Sequence, residues 1–282
     1  MVKSLFYIGV LWLPLLASDL ERARDLYNRT EYQAAIALLR NSPEGRSAEA
    51  QEILGKSWYQ TGDFKKAVEA FESVERLRPA DARIKNWLGR SWGRRAETSN
   101  PLMAPGYAAK ARRYFEEAVR LNPRDLEAVD DLFSYYLEAP GFLGGGLDKA
   151  AALAEQIKTN DPAEYHFALA QIAERRKQYD LAEGQLRKAV ELAPKQVGRI
   201  LDLARFLARR GKLSDAEQAF QQARAADPKN RQVLYAQAEV YIQSGRDFAR
   251  ARQLLKEYLD GPLTPEDPSR EEARRLLQRV SN

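Results

Sequence analysis

Apolar residues recur at i, i+3, i+4 and i+7 through most of residues 19–260, the spacing that lines one face of an α-helix. The stripes come in pairs, and a proline closes most pairs, at Pro79, Pro123, Pro162, Pro194 and Pro228. Proline lacks an amide donor and clashes with the preceding turn, so each ends a helix and fixes the step into the next pair. Inside a pair, Gly62 and Gly211 mark the end of the first helix, where a left-handed backbone costs glycine nothing. The pattern predicts an all-α chain of helical hairpins.

The hairpins repeat with a period of 34 residues, from Leu54 to Leu88 and from Pro194 to Pro228. One unit reads Leu54-Gly55, Trp58-Tyr59, Gly62-Asp63-Phe64, Ala67, Phe71 and Pro79. Its copies carry Ala111, Phe115 and Pro123, then Ala182, Leu186 and Pro194, then Ala216, Phe220 and Pro228. Weaker copies span Leu20–Leu39, Leu132–Pro162 and Gln237–Leu255, which makes about seven units. Small residues at Ala67, Ala111, Ala150, Ala182 and Ala216 let paired helices approach closely, and Phe71, Phe115 and Phe220 fill the gap between neighbours. A single hairpin cannot bury its own apolar face, so the units must stack as a solenoid. Ser269–Val280, with its Glu-Glu-Ala-Arg-Arg core, reads as a polar-faced capping helix after Pro268.

The spacing Leu54-Gly55, Trp58, Tyr59, Ala67, Phe71 and Pro79 resembles the tetratricopeptide repeat, and the periodicity extends that resemblance over nearly all of residues 19–260. It implies a solenoid whose first helices line a concave groove, and a protein-binding scaffold in function. Transferred position by position, it places Arg24, Tyr27 and Asn28 of the first unit in the groove. From the second unit it adds Lys56 and Tyr59, and from the third Arg83, Asn86, Arg90 and Arg94. Trp87, one residue off the usual core positions, is the candidate exposed aromatic anchor. The family's clamp for terminal carboxylates is not expected here, because Leu20 and Glu52 stand where its cations belong.

Composition narrows the chemistry. The 282 residues contain no cysteine and one histidine, His166, which removes thiol nucleophiles, Cys-ligated zinc and every site needing two imidazoles. No Gly-x-Ser-x-Gly elbow presents a serine to His166. No catalytic residue, metal site or cofactor is expected. Lys and Arg number 45 against 40 Asp and Glu, a net charge of +5, and the signs are banded. Residues 81–124 hold ten basic and four acidic side chains, residues 125–174 two and ten, and residues 175–227 twelve and seven. The bands suggest either a basic groove patch for an acidic peptide or helix, or solvated helix faces. The acidic band also argues against nucleic acid as a partner. On the patch reading, replacing Arg90 and Arg94 by Glu removes binding and leaves stability intact. A less favoured alternative gives Asp130, Asp131 and Glu138 a glycan-directed role in an envelope enzyme accessory.

Lys3 followed by the uncharged run 4–17 has the layout of a secretory signal, which implies a periplasmic or secreted protein. The run also fits an inner-membrane anchor, the one route to membrane contact, or a buried helix. Ser18-Asp19-Leu20-Glu21 then reads as a capping box opening residues 18–282. Two units carry insertions between their helices, near 96–106 and 139–146. The Gly144-Gly145-Gly146 cluster lacks the lysine and the preceding strand of a phosphate-binding loop. These insertions are expected to be turns, with Phe142 or Leu143 tucked onto the stack, or contact loops for a partner.

Overall fold

A computed structural model describes residues 17–280. Apart from Ala17, the apolar run expected to act as a signal or anchor lies outside the described residues. Fifteen α-helices and no strand occur among those residues. Seven hairpins follow one another: α1 (Asp19–Asn28) with α2 (Tyr32–Asn41), α3 (Ala48–Gln60) with α4 (Phe64–Leu77), and α5 (Ala82–Thr98) with α6 (Ala104–Leu121). Then come α7 (Leu126–Glu138) with α8 (Leu147–Ile157), α9 (Pro162–Arg175) with α10 (Tyr179–Leu192), and α11 (Val197–Arg209) with α12 (Leu213–Ala226). The seventh pairs α13 (Gln232–Gln243) with α14 (Phe248–Asp260), and α15 (Arg270–Arg279) caps the stack. This is the expected all-α solenoid of seven hairpins.

Local sequence explains the boundaries. Ser18 Oγ accepts from the Glu21 amide while the Glu21 carboxylate accepts from the Ser18 amide, so the capping box forms. Asp63, Asp81, Asp125 and Asp161 cap four further helices through their carboxylates. Gly62 and Gly211 adopt φ of 83° and 75°, as expected of residues that end first helices. The same paired bonds that close the Gly62 turn also close the turns at Thr30, Lys177 and Gly245. Thr30 and Lys177 thus take φ near +60° without being glycine, which the glycine pattern did not reveal.

The alanines at 67, 111, 150 and 182 are fully buried, and Ala216 almost so. Their smallness brings the helices of a pair together. A methyl group on Gly55 would lie 2.7 Å from the Phe71 ring, and one on Gly89 would lie 2.5 Å from Phe115. Glycine on the first helix and phenylalanine on the second are therefore one packing device, repeated in successive units.

The first insertion differs from expectation in form. Most of 96–106 is helix: α5 and α6 run to 17 and 18 residues where the helices of the other pairs have 10 to 14, and only Ser99–Met103 is a turn. Trp92 and Tyr107, with ring centroids 5.2 Å apart, sustain the longer pair, and Arg95 donates to the Tyr107 hydroxyl at 3.1 Å. In the second insertion Gly141–Leu143 forms a 3-10 turn. Leu143 is half-buried on the stack, whereas Phe142 projects, 83% exposed.

Candidate functional site

The first helices of the units form the inner wall of the solenoid. Toward its N-terminal end, Tyr27, Asn28, Lys56, Arg83, Asn86 and Trp87 line a single cavity of about 350 Å³. Six of the ten groove candidates therefore converge. Arg24 is exposed and outside this cavity. Tyr59 stands behind it, edge-on to Trp87 at 5.4 Å and to Phe64 at 5.5 Å.

Trp87 is not the exposed anchor that its position suggested. Its ring stacks on Phe71 at 5.6 Å with an interplanar angle of 17°, and Lys56 and Arg90 approach it at 5.8 and 5.1 Å. Filling the gap between units holds the indole in the wall and leaves part of it to the groove.

The basic patch of the third unit is likewise not free. Arg90 Nε donates to Asp131 at 2.5 Å and Nη1 to Glu127 at 2.6 Å, both on the fourth unit. Arg94 is paired with Glu97 on its own helix. Burial works against the Arg90 charge, but Asp131 and Glu127 more than offset it and hold its pKa above the usual arginine value. The same zipper continues along the inner wall. Arg175 pairs with Glu138, Arg199 with Glu164, and Arg209 with Glu174 at 2.9 Å. Bands of opposite sign in the sequence are adjacent units in space, so their charges satisfy one another across the unit boundaries.

Those pairs also bear on the glycan-directed reading, since Asp131 and Glu138 are each committed to an arginine. Asp130 has no ion pair among the described residues. Burial first, and then the Asp131 charge, push its carboxyl up to about 6. Burial also raises Glu164, to about 7, against the pull of Arg199. His166 Nδ1 lies 2.6 Å from Gln185 Oε1, and the ring packs edge-on to Tyr165, which ties α9 to α10. Among the described residues no group of three or more His, Asp or Glu side chains has the arrangement to hold a metal ion, and no helix is long and apolar enough to cross a membrane.

Asn86 is the distinctive group in the cavity. It is 4% exposed and its Nδ2 donates to Asp131 at 2.6 Å, yet its Oδ1 is buried without a hydrogen-bond partner. A buried acceptor without a partner is costly. Arg83 is 74% exposed at its side chain and reaches only its own cap residue Asp81, at 4.0 Å. Sequence reasoning missed Pro265 and Glu266, which close the same cavity from the turn before α15. They reach the first unit only because the whole stack curls round, and no local pattern near residue 265 carries that information.

The tetratricopeptide repeat family model matches residues 20–82, 54–92, 144–197 and 201–268. The unmatched stretch 93–143 contains the first insertion and the start of the second. A thermophilic TPR protein of Thermus thermophilus superposes with a TM-score of 0.54 at 24% identity, over 67% of this chain and 97% of that one. A tetratricopeptide repeat protein of Parabacteroides merdae superposes with a TM-score of 0.54 at 15% identity, over 94% and 98%. At these identities the likeness is one of fold. No curated protein sequence matches the chain.

Proposed function

Because the chain belongs to the tetratricopeptide repeat family, we propose that it is a non-enzymatic scaffold that holds an extended segment of a partner protein in its concave groove. Chains of this family are generally scaffolds without catalytic chemistry. The observation that carries the reading is the cavity shared by units one to four and the last turn, on which six of the positions expected to line the groove converge. A backbone not already in a helix has free amides and carbonyls to offer the polar groups that line this cavity. An extended segment, or the first turn of a helix, supplies them, and the middle of a helix does not.

The partner's charge matters less than its backbone. Lys56 is paired with Glu52 at 2.7 Å and Arg90 with the fourth unit, so Arg83, held only by its cap residue Asp81 at 4.0 Å, is the least committed cation of the cavity among the described residues. A photoreactive side chain placed at Asn28 or Arg83 in the full chain is expected to join one and the same partner. The control is Lys65 on the outer helix α4, whose side chain is 74% exposed. Joining from Lys65 alone, or equally from all three positions, moves binding off the groove.

We further propose that residues 1–17 direct export, with the folded part starting at the Ser18 capping box. Sequencing the natural N-terminus tests this. A start near Ser18 supports release outside the cytoplasm, and an intact Met1 in the membrane pellet favours a tethered assembly factor.

A further inference from the structure

Each hairpin turn, the link from first to second helix within a unit, lies on one edge of the solenoid, and the links between units lie on the other. The two edges differ in chemistry. Five of the eight large apolar side chains exposed among the described residues belong to the hairpin-turn edge, including the two most exposed: Leu102 at 92% and Phe142 at 83%. Met103, Leu181 and Phe248 are the others. The hairpin turns contain six Lys or Arg against three Asp or Glu, whereas the links between units contain seven of each.

The most prominent apolar groups are held outward by their backbones. Asn100 Oδ1 accepts from the amides of Leu102 and Met103, both at 3.1 Å, which sets the turn at the tip of the elongated third hairpin. That hairpin stands roughly 6 Å beyond its neighbours, from about four extra residues at 1.5 Å rise each. In the next unit, the Tyr135 hydroxyl donates to the Leu143 carbonyl at 2.8 Å and Lys149 Nζ to the Gly144 carbonyl at 2.7 Å. Gly145 lies so close to the Ala139 carbonyl that a Cβ would meet it at 1.8 Å. The loop is packed, and it still leaves the Phe142 ring in water.

Protruding apolar tips on an edge that also carries exposed cations suit a surface that yields around them and carries negative charge. A protein partner would need to offer a shaped pocket for each tip. We propose that the hairpin-turn edge docks on an anionic lipid bilayer. Leu102, Met103 and Phe142 enter the interfacial layer, and Arg176, Lys177 and Arg210 meet the headgroups. These three cations are exposed and form no ion pair among the described residues, and the Arg210 guanidinium stacks on the Tyr179 ring at 3.7 Å. Ser18, where α1 begins, lies toward the opposite edge.

The absence of cysteine gives a direct test. Full-length Leu102→Cys, Phe142→Cys and, as control, Leu77→Cys are labelled with an environment-sensitive fluorophore. Leu77 is 67% exposed on the other edge. With vesicles of phosphatidylglycerol and phosphatidylethanolamine, emission is expected to shift to the blue at 102 and 142 and stay unchanged at 77. Phosphatidylcholine vesicles should give little shift. Arg176→Glu with Lys177→Glu and Arg210→Glu, checked for an unchanged circular-dichroism spectrum, is expected to raise the lipid concentration for half-maximal shift tenfold or more. The proposal is overturned by silent labels at 102 and 142 on chains that sediment with vesicles, by an equal shift at 77, or by a shift that grows with protein concentration in the absence of lipid. The last outcome would make the edge an interface between copies of this chain.

Discussion

Arg90 of the third unit and Asp131 of the fourth meet at 2.5 Å, and Asn86 donates to the same carboxylate oxygen at 2.6 Å. The groove wall is thus fastened across a unit boundary by the residues that sequence reasoning assigned to ligand binding. Arg90→Ala strands the Asp131 carboxylate and is expected to destabilise by roughly 2–3 kcal/mol in chemical denaturation. That is below the fully buried figure, because about a fifth of each side chain meets water. Charge reversal at Arg90 costs more, since it places a third carboxylate beside Asp131 and Glu127. Arg83→Glu alters the charge of the cavity and leaves stability within about 0.5 kcal/mol of the parent.

Asp130 predicts a pH dependence of definite sign. In the folded chain its carboxyl keeps a proton to about pH 6, whereas an unfolded aspartate releases it near pH ~4. Between those values the unfolded state binds fewer protons, so this group's contribution to stability falls as pH rises. Asp130→Asn is expected to raise stability at pH 8 by up to roughly 3 kcal/mol, since each tenfold change in proton affinity is worth about 1.4 kcal/mol. At pH 4 the gain should largely vanish. Thermal melts of the two proteins at both pH values decide it.

Two glycines inside helices should respond to alanine in opposite directions. Gly89→Ala drives a methyl into the Phe115 ring and is expected to destabilise by roughly 1–3 kcal/mol. Gly184 has nothing within 4 Å of where its Cβ would lie, so Gly184→Ala gains about 0.5–1 kcal/mol from helix propensity alone. Denaturation midpoints compared with the parent read both.

Thr30 combines a φ of 61°, poorly suited to a β-branched residue, with a buried hydroxyl that has no partner. Thr30→Gly removes both penalties and is expected to stabilise the first hairpin by about 1 kcal/mol. Slower amide exchange within α1 and α2 is the measurement that checks it. Unchanged or faster exchange would show that the threonine methyl contributes more through packing than the backbone loses.

The stack was legible because its rules are local and repeated. Leu54-Gly55 opposite Phe71, the alanine at the close approach, and the proline after each second helix all act within one unit or its neighbour. The site was less legible because it depends on what lies across the groove. Arg90 and Asp131 are 41 residues apart and belong to different charge bands, and their pairing follows only once adjacent units are superposed. Trp87 fell to the same limitation, since Phe71 in the preceding unit takes one face of its ring. The first insertion misled for another reason: extra residues can lengthen two helices as readily as they can make a loop, and Trp92 against Tyr107 decided for helix in the third unit.

The curl that sets Pro265 and Glu266 beside Tyr27 and Asn28 alters what the ends of this array can do. An open row of repeats comes apart from its termini, because an end unit has one neighbour where an inner unit has two. A guest lodged in that seam would touch the first units and the last turn together, converting a row with two loose ends into a closed circuit. Fraying at either end would then require the guest to leave. Its affinity would be written into the cooperativity of the whole chain's unfolding, and the ends, normally the least protected parts of such a stack, would gain the most.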